Sequence, residues 1–335
     1  MNKPDPRSVP FGSVFTDLMA VANYKNGAWS AFDMVPMSAL SLHPAAHALH
    51  YCSSCFEGFK AYRRNDGDIH VFRLDRHIER LRQSARQLVL PEPDAGLVRG
   101  MVLSLVDRCR GEVPEAPGSL YVRPLLFGTT PNIGAAATPA DQATLVVMAS
   151  PVWDYFAGGM KPLRILMEPA PRSAPHLGVV KTGGNYAAAL GPTLAARREY
   201  KVDQVLFCPG GEVQETGAAN FLLLRDRQIL TRSLDSTFLH GVTRESLLTL
   251  ARDLGYSTEE RIVTVEETLD WVATGEAALS GTAAVLAGVG TLIWQGREVT
   301  VADGDVGPVT RALRAALVDV QRGVTPDRFG WLTPV

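Results

Sequence analysis

Two short runs rich in apolar and aromatic residues, CFEGFKAYR (55–63) and DIHVFR (68–73), flank Asn65-Asp66-Gly67, and the stretch after them switches to a helical period. The Asn-Asp-Gly tip suits a tight turn, so the two runs read as a β-hairpin. In RLDRHIERLRQSARQLVL (73–90), Leu74, Ile78, Leu81, Ala85 and Leu88 fall on one stripe, the spacing of an amphipathic helix. A second helix is expected in PDAGLVRGMVLSLVDRCRG (93–111), with Asp94 as its N-cap. SLYVRPLLFG (119–128) and ATLVVMAS (143–150) then read as strands. The same mixture continues beyond: a strand LRILME, a helix from about Asn185 interrupted by Pro192, strands DQVLFC, NFLLL and QILTR, and a helix ending on Gly255. A hairpin around Gln295-Gly296 and a final helix within 305–323 complete the pattern. Strands and helices mix without a regular βαβ rhythm, which excludes a simple doubly wound sheet and leaves an α+β or mixed α/β fold.

A chain of 335 residues exceeds what one core usually holds. The Gly/Pro break FAGGMKP (156–162) is the expected boundary. It gives domains at 1–156 and 163–335, with a linker at 157–162. The net charge of −2, with no long run of Lys or Arg, gives no reason to expect nucleic acid or an anionic membrane as partner. No apolar stretch approaches a membrane span, and the first residues carry Pro and Asp where a signal peptide would be apolar, so a cytoplasmic protein is expected. Cys52 and Cys55 stand in C-x-x-C spacing, but no second Cys or His pair completes a zinc site, and four cysteines do not make a disulfide framework. No metal is expected, and both cysteines read as small packing residues.

Six short motifs could carry chemistry. In GVVKTGGNY, Lys181 precedes two glycines at the mouth of a helix, a setting in which a lysine amine can attack a carbonyl. In GGEVQETGAANFLLL, Glu215 precedes small residues suited to a flat ring, and its carboxylate could pair with a protonated ring nitrogen. Gly241, Val242 and Thr243 open a helix, where N–H groups and the helix dipole favour an anion. Ser280, Gly281 and Thr282 offer a second hydroxyl and amide cradle. Tyr121 and Arg123, two apart in a strand, share a face and suit a carboxylate. Arg73, Arg76 and Arg80 lie off the apolar stripe of their helix, and periodicity does not choose among them. Together the six describe a ligand that is flat, aldehyde-bearing and phosphorylated, with a basic ring nitrogen. Pyridoxal 5'-phosphate fits that description.

The blocks FGSVFTDLM, LHPAAHALHY, FEGFKAY, LYVRP, KTGGNY, ETGAANF, GVTRESLL, SGTA and GWLTPV resemble the branched-chain-amino-acid aminotransferases, within the fold-type IV (class IV) pyridoxal-phosphate enzymes, nearly end to end. The resemblance implies a small α/β domain and a larger pseudo-barrel domain that carries the cofactor lysine, with the cofactor between them, in at least a homodimer. It implies that Lys181 forms the Schiff base and shuttles protons. It gives Glu215 to the pyridine nitrogen, Arg80 to the phosphate with Gly241, Val242, Thr243 and Thr282, and Tyr186 to the neighbourhood of the cofactor hydroxyl. Phe56, Gly58, Tyr121, Arg123, Tyr155, Thr282 and Ala283 would line the substrate pocket, and Tyr51 would reach across the dimer interface. His240, Pro192 and the Cys52/Cys55 pair depart from the family pattern.

The implied reaction is ping-pong transamination between L-leucine, L-isoleucine or L-valine and 2-oxoglutarate. Its rivals are another fold-type IV enzyme (a D-amino-acid or amine aminotransferase, or an aminodeoxychorismate lyase) and a non-catalytic cofactor-binding or redox-sensing protein.

Overall fold

The computed structural model describes residues 4–155, 159–174 and 176–335. Residues 157 and 158 of the expected linker and Pro175 lie outside the described residues. The chain divides into two compact units, Met1–Tyr155 with Val180–Gly183 and Val320–Val335, and Phe156–Val179 with Gly184–Asp319. The expected boundary near 156 is close to this division. Two segments of the expected second domain belong to the first unit instead, and hydrogen bonding explains both, as described below.

In the first unit the elements run β1 (Leu18–Lys25), β2 (Ala28–Trp29), β3 (Asp33–Pro36), α1 (His47–Tyr51), β4 (Ser54–Phe56), β5 (Phe59–Arg63), β6 (Ile69–Phe72), α2 (Leu74–Gln87), α3 (Ala95–Arg108), β7 (Ser119–Gly128) and β8 (Ala143–Val152). The β5–β6 hairpin turns through Asn65-Asp66-Gly67, closed by Arg64 N–H donating to the Asp68 carbonyl at 2.8 Å. Leu74, Ile78, Leu81 and Ala85 of α2 are buried, while Leu88 lies just past the helix and is half-buried. Asp94 caps α3, its carboxylate accepting from the N–H groups of Gly96 and Leu97 at 2.7 and 3.3 Å. These two helices cover one face of the sheet, over a core that includes Leu120, Val122 and Leu126 of β7. The alternate residues Tyr121, Arg123 and Leu125 are only half-buried. One face of β7 therefore makes core, and the other is left for chemistry.

In the second unit the order is β9 (Leu163–Glu168), α4 (Gly183–Tyr200), β10 (Gln204–Phe207), β11 (Asn220–Arg225), β12 (Gln228–Arg232), α5 (Val242–Asp253), β13 (Ser257–Arg261), α6 (Val265–Trp271), β14 (Glu276–Gly281), β15 (Val285–Trp294), β16 (Arg297–Thr300) and α7 (Pro308–Gln321), the last running past the unit's end. Its eight strands form one sheet ordered β10-β9-β15-β14-β11-β12-β13, with β16 on β15. Parallel and antiparallel pairs mix, which is why no βαβ rhythm shows in the sequence. Gln295 and Gly296 both take positive φ (50° and 77°), the backbone of a tight hairpin between β15 and β16. Gly255 takes φ 83° just beyond α5, where the left-handed region ends a helix. Pro192 does not break α4, which runs through it as one helix and starts two residues earlier than Asn185.

The chain then returns to the first unit. β17 (Leu332–Pro334) pairs antiparallel with β6 and completes a nine-stranded sheet ordered β17-β6-β5-β7-β8-β1-β2, with β3 on β1 and β4 on β7. Trp331 is buried beside it, stacked on Phe329 and facing the Arg73 guanidinium at 5.0 Å.

Candidate active site

The lysine segment Val180–Gly183 is held to the first unit by its backbone. Phe56 N–H donates to the Lys181 carbonyl at 2.9 Å, and Lys181 N–H donates to Ser84 Oγ of α2 at 3.2 Å. This places Lys181 Nζ 5.0 Å from the centre of the Phe56 ring. The register between β7 and the β4–β5 stretch runs unchanged from Phe56↔Leu125 to Phe59↔Val122. Phe56, Gly58 and Lys60 thus share a face with Tyr121 and Arg123. On that face Arg123 Nη2 donates to Tyr121 Oη at 3.0 Å, and its guanidinium lies 4.6 Å from the Phe56 ring centre. Arg123 Nε is buried without a hydrogen-bond partner among the described residues. Gly58 makes the arrangement possible: a Cβ there would come within 1.8 Å of Tyr121 Oη. Phe11 packs edge-on against both Tyr121 and Tyr155.

The opposite face of the same stretch holds a charge cluster that the spacing does not announce. Glu57 is fully buried. It accepts from Arg80 Nε at 2.6 Å, Arg80 Nη2 at 2.8 Å and His77 Nδ1 at 2.7 Å. Burial alone would raise the Glu57 pKa, but the Arg80 charge and these hydrogen bonds outweigh it and hold the carboxyl well below the usual glutamate range. Burial lowers the His77 pKa despite the neighbouring carboxylate. The His77–Glu57 contact is therefore a neutral imidazole N–H donating to a carboxylate. Of the three arginines near α2, Arg76 is exposed while Arg73 and Arg80 are buried. Tyr51 is half-buried, and its Oη donates to the Ile133 carbonyl.

The cysteines take different environments. Cys55 is buried on the core face of β4, and burial pushes its thiol pKa up. Cys52 is exposed at the left-handed C-cap of α1, φ 54°, so the expectation that it packs inside is corrected. One residue cannot both end this helix in that conformation and reach the core.

The second unit gathers the remaining motifs. Glu215, 2% exposed, pairs with Arg172 Nη1 at 2.6 Å. It also accepts from Leu239 N–H at 2.9 Å and Asn220 Nδ2 at 3.2 Å. Arg172 is itself buried, donates to the Gly217 carbonyl, and sits 5.4 Å from the centre of the Tyr186 ring. Gly241 is the N-cap of α5 and no side chain caps this helix. Val242 and Thr243 form its buried first turn, and a Cβ on Gly241 would meet Asn220 Oδ1 at 2.0 Å. His240 fixes the approach to that turn by donating from Nε2 to the Asp235 carbonyl at 2.8 Å. Thr282 and Ala283, half-buried, form the turn between β14 and β15, which closes on Val285 at φ 64°. A β-branched residue in the left-handed region is strained, by about 1–3 kcal/mol. Such strain shapes a turn at a functional position more often than elsewhere.

These residues suit a phosphorylated, ring-bearing cofactor. The chain offers a buried carboxylate with its own counter-charge, an uncapped helix N-terminus, small residues at 217–219, and an amine beside an aromatic ring in the first unit. The family model for amino-transferase class IV matches residues 54–291. This chain belongs to the class IV aminotransferases. Its relatives in the family include a probable branched-chain-amino-acid aminotransferase of Streptomyces coelicolor, 40% identical over 96% of this chain and 91% of that one. Branched-chain-amino-acid aminotransferase 2 of Bacillus subtilis is 36% identical, covering 99% and 94%. Among solved structures, the T.th. branched-chain amino acid aminotransferase with pyridoxamine 5'-phosphate superposes with a TM-score of 0.78 at 27% identity, covering 93% of this chain and 97% of that one. The Escherichia coli branched-chain aminotransferase gives 0.73 at 27%, covering 93% and 98%. The fold is that of the fold-type IV aminotransferases. In this class IV aminotransferase, Glu57, His77, Arg172 and Asn220 make buried polar contacts that no sequence motif announces. An acidic residue inside an apolar strand run was the available sign for Glu57, and nothing local marked Arg172.

Proposed function

We propose that this class IV aminotransferase moves the amino group between L-leucine, L-isoleucine or L-valine and 2-oxoglutarate. The observation that carries this reading is the face on which Lys181 Nζ and the Arg123–Tyr121 pair converge on the Phe56 ring. It offers an amine, a carboxylate-binding pair and an apolar wall to one small substrate. The likeness to branched-chain enzymes over nearly the whole chain supports the choice of substrate.

Pyridoxal 5'-phosphate, when bound, supplies the aldehyde for amine exchange and a ring that accepts electrons. Glu215 would hold its pyridine nitrogen, with Arg172 as counter-charge to the carboxylate, and Tyr186 would lie near its hydroxyl. Arg80, Gly241, Val242, Thr243 and Thr282 would take the phosphate. Two Arg80 nitrogens already bond Glu57, so Glu57 positions that arginine. Lys181 Nζ would take the proton from the substrate α-carbon as general base and give it back as general acid. Phe56 and Tyr155 wall the alkyl chain, and Gly58 leaves room for the Tyr121 hydroxyl. Tyr121 and Arg123 hold the γ-carboxylate of the second substrate, and Thr282 and Ala283 the first substrate's own carboxylate.

The protein works as a homodimer in the cytoplasm. In the first unit Leu49 and Ile133 are 59% and 72% exposed, and Tyr51, whose Oη donates to the Ile133 carbonyl, would reach across to the second copy. In the second, α4 shows Leu190 and Leu194 to solvent. No helix among the described residues is long and apolar enough to cross a membrane, and no disulfide joins any of the four cysteines. The test is a panel of amino donors with 2-oxoglutarate on purified, cofactor-loaded protein. Turnover of L-leucine, L-isoleucine or L-valine supports the reading. Turnover of D-alanine alone assigns another fold-type IV activity.

A further inference from the structure

One buried hydroxyl of the second unit has no role in this scheme. Ser280, on β14, is 2% exposed, and its Oγ has no hydrogen-bond partner among the described residues. A hydroxyl taken out of water and left unpaired opposes folding, and native proteins rarely keep one without a use for it.

The sheet register says what this hydroxyl faces. Glu215 bridges Asn220, and Asn220 is the cross-strand partner of Ser280. Directly opposed residues on antiparallel neighbours point to the same side. Glu215, Asn220 and Ser280 therefore form a row of carboxylate, amide and hydroxyl across one face. Asn220 ties the row to the start of α5: its Nδ2 donates to the Leu239 carbonyl at 2.9 Å, and its Oδ1 lies where a Gly241 Cβ would be. α5 also packs on β14. An uncapped N-terminus of a twelve-residue helix and an unpaired buried hydroxyl thus both adjoin Asn220. The first attracts an anion, and the second lacks only an acceptor.

We infer that Ser280 Oγ donates a hydrogen bond to the phosphate held at the α5 N-terminus, as a further ligand beside Thr243 and Thr282. This rests on the reading of the unit as a cofactor site. Phosphate is the chosen acceptor because each of its oxygens accepts more than one hydrogen bond, whereas the ring nitrogen has Glu215. Without phosphate the hydroxyl is a cost to the fold, and with it a contact.

The test uses the full-length protein freed of cofactor, with Ser280→Ala and Ser280→Thr. Melting temperature is measured without ligand, and affinity is measured for pyridoxal 5'-phosphate, inorganic phosphate and pyridoxal, which lacks the phosphate. Ser280→Ala is expected to melt at or above the wild-type temperature without ligand. It should bind pyridoxal 5'-phosphate and inorganic phosphate about tenfold more weakly, the usual effect of one hydrogen bond to a charged group. Pyridoxal affinity should not change, and Ser280→Thr should keep wild-type affinity. Unchanged phosphate affinity in Ser280→Ala overturns the inference. So does an equal loss for pyridoxal, or a lower melting temperature without ligand, since either gives the hydroxyl a different task. Wild-type protein that takes up no pyridoxal 5'-phosphate overturns the cofactor reading itself, a result visible before any variant is made.

Discussion

Glu57, with no exposed surface, shows how much of this protein rests on single side chains. Replacing it with glutamine leaves the Arg80 charge buried without its carboxylate, which should cost about 3 kcal/mol in a urea melt. The pH dependence has a definite sign. Both Glu57 and His77 have folded pKa values below their ordinary ones, so their stabilisation is complete at high pH and is lost on acidification. Loss should begin as the pH falls below about 6.5, where an unfolded histidine takes up a proton. It should steepen below about 4.3, where an unfolded glutamate does. Denaturation midpoints measured across that range should show a shallower acid limb in Glu57→Gln than in wild type. On the other face of the strand, Gly58→Ala puts a methyl group into Tyr121 Oη and should lower kcat/KM about a hundredfold through misplacement of the pocket. Its melting temperature should move little by comparison. Lys181 and Glu215 are legible in the sequence because runs of small residues beside them advertise a ligand. Arg172 and Glu57 are not, because their meaning comes from partners 43 and 23 residues away that only the fold brings near.

Among the elements, those with local chemistry are the readable ones. The Asn65-Asp66-Gly67 hairpin, the Asp94 cap, the end of α5 at Gly255 and the Gln295-Gly296 turn each follow from residues within a few positions. α4 is harder. Its composition is rich in alanine on every side, so no stripe shows which face is covered, and Pro192 suggests a break that the helix does not make. Only Asn185, Ala189 and Ala196 of α4 are buried, leaving Leu190 and Leu194 58% and 40% exposed. If that surface meets a second copy, Leu190→Lys with Leu194→Lys should shift the protein from dimer to monomer in sedimentation. The pair should leave the monomer's helical content unchanged, because neither residue packs in the core. A mass unchanged at every concentration would place the dimer face elsewhere.

At the scale of the whole molecule, the sequence suggests two bodies and a break near residue 156 but carries no sign of the chain's return. The final strand, LTP, is too short and too polar to declare a partner, and its pairing with β6 spans most of the chain's length. Removal of 320–335 should therefore destabilise the first unit selectively. It would strip β6 of a neighbour, Tyr62 of its bond to Gln321, and Arg73 of Trp331. Limited proteolysis of the truncated protein should cut first within residues 4–155, with fragments of the second unit persisting.

This return of the chain also bears on how the protein is made. Emerging from the ribosome, residues 1–155 carry a sheet whose β6 edge is bare until the last strand has been synthesised. A bare edge is a template for strands of other chains. The first half of each nascent molecule must therefore wait, exposed to its neighbours, until β17 has been made, and crowded expression should favour aggregates nucleated at residues 69–72.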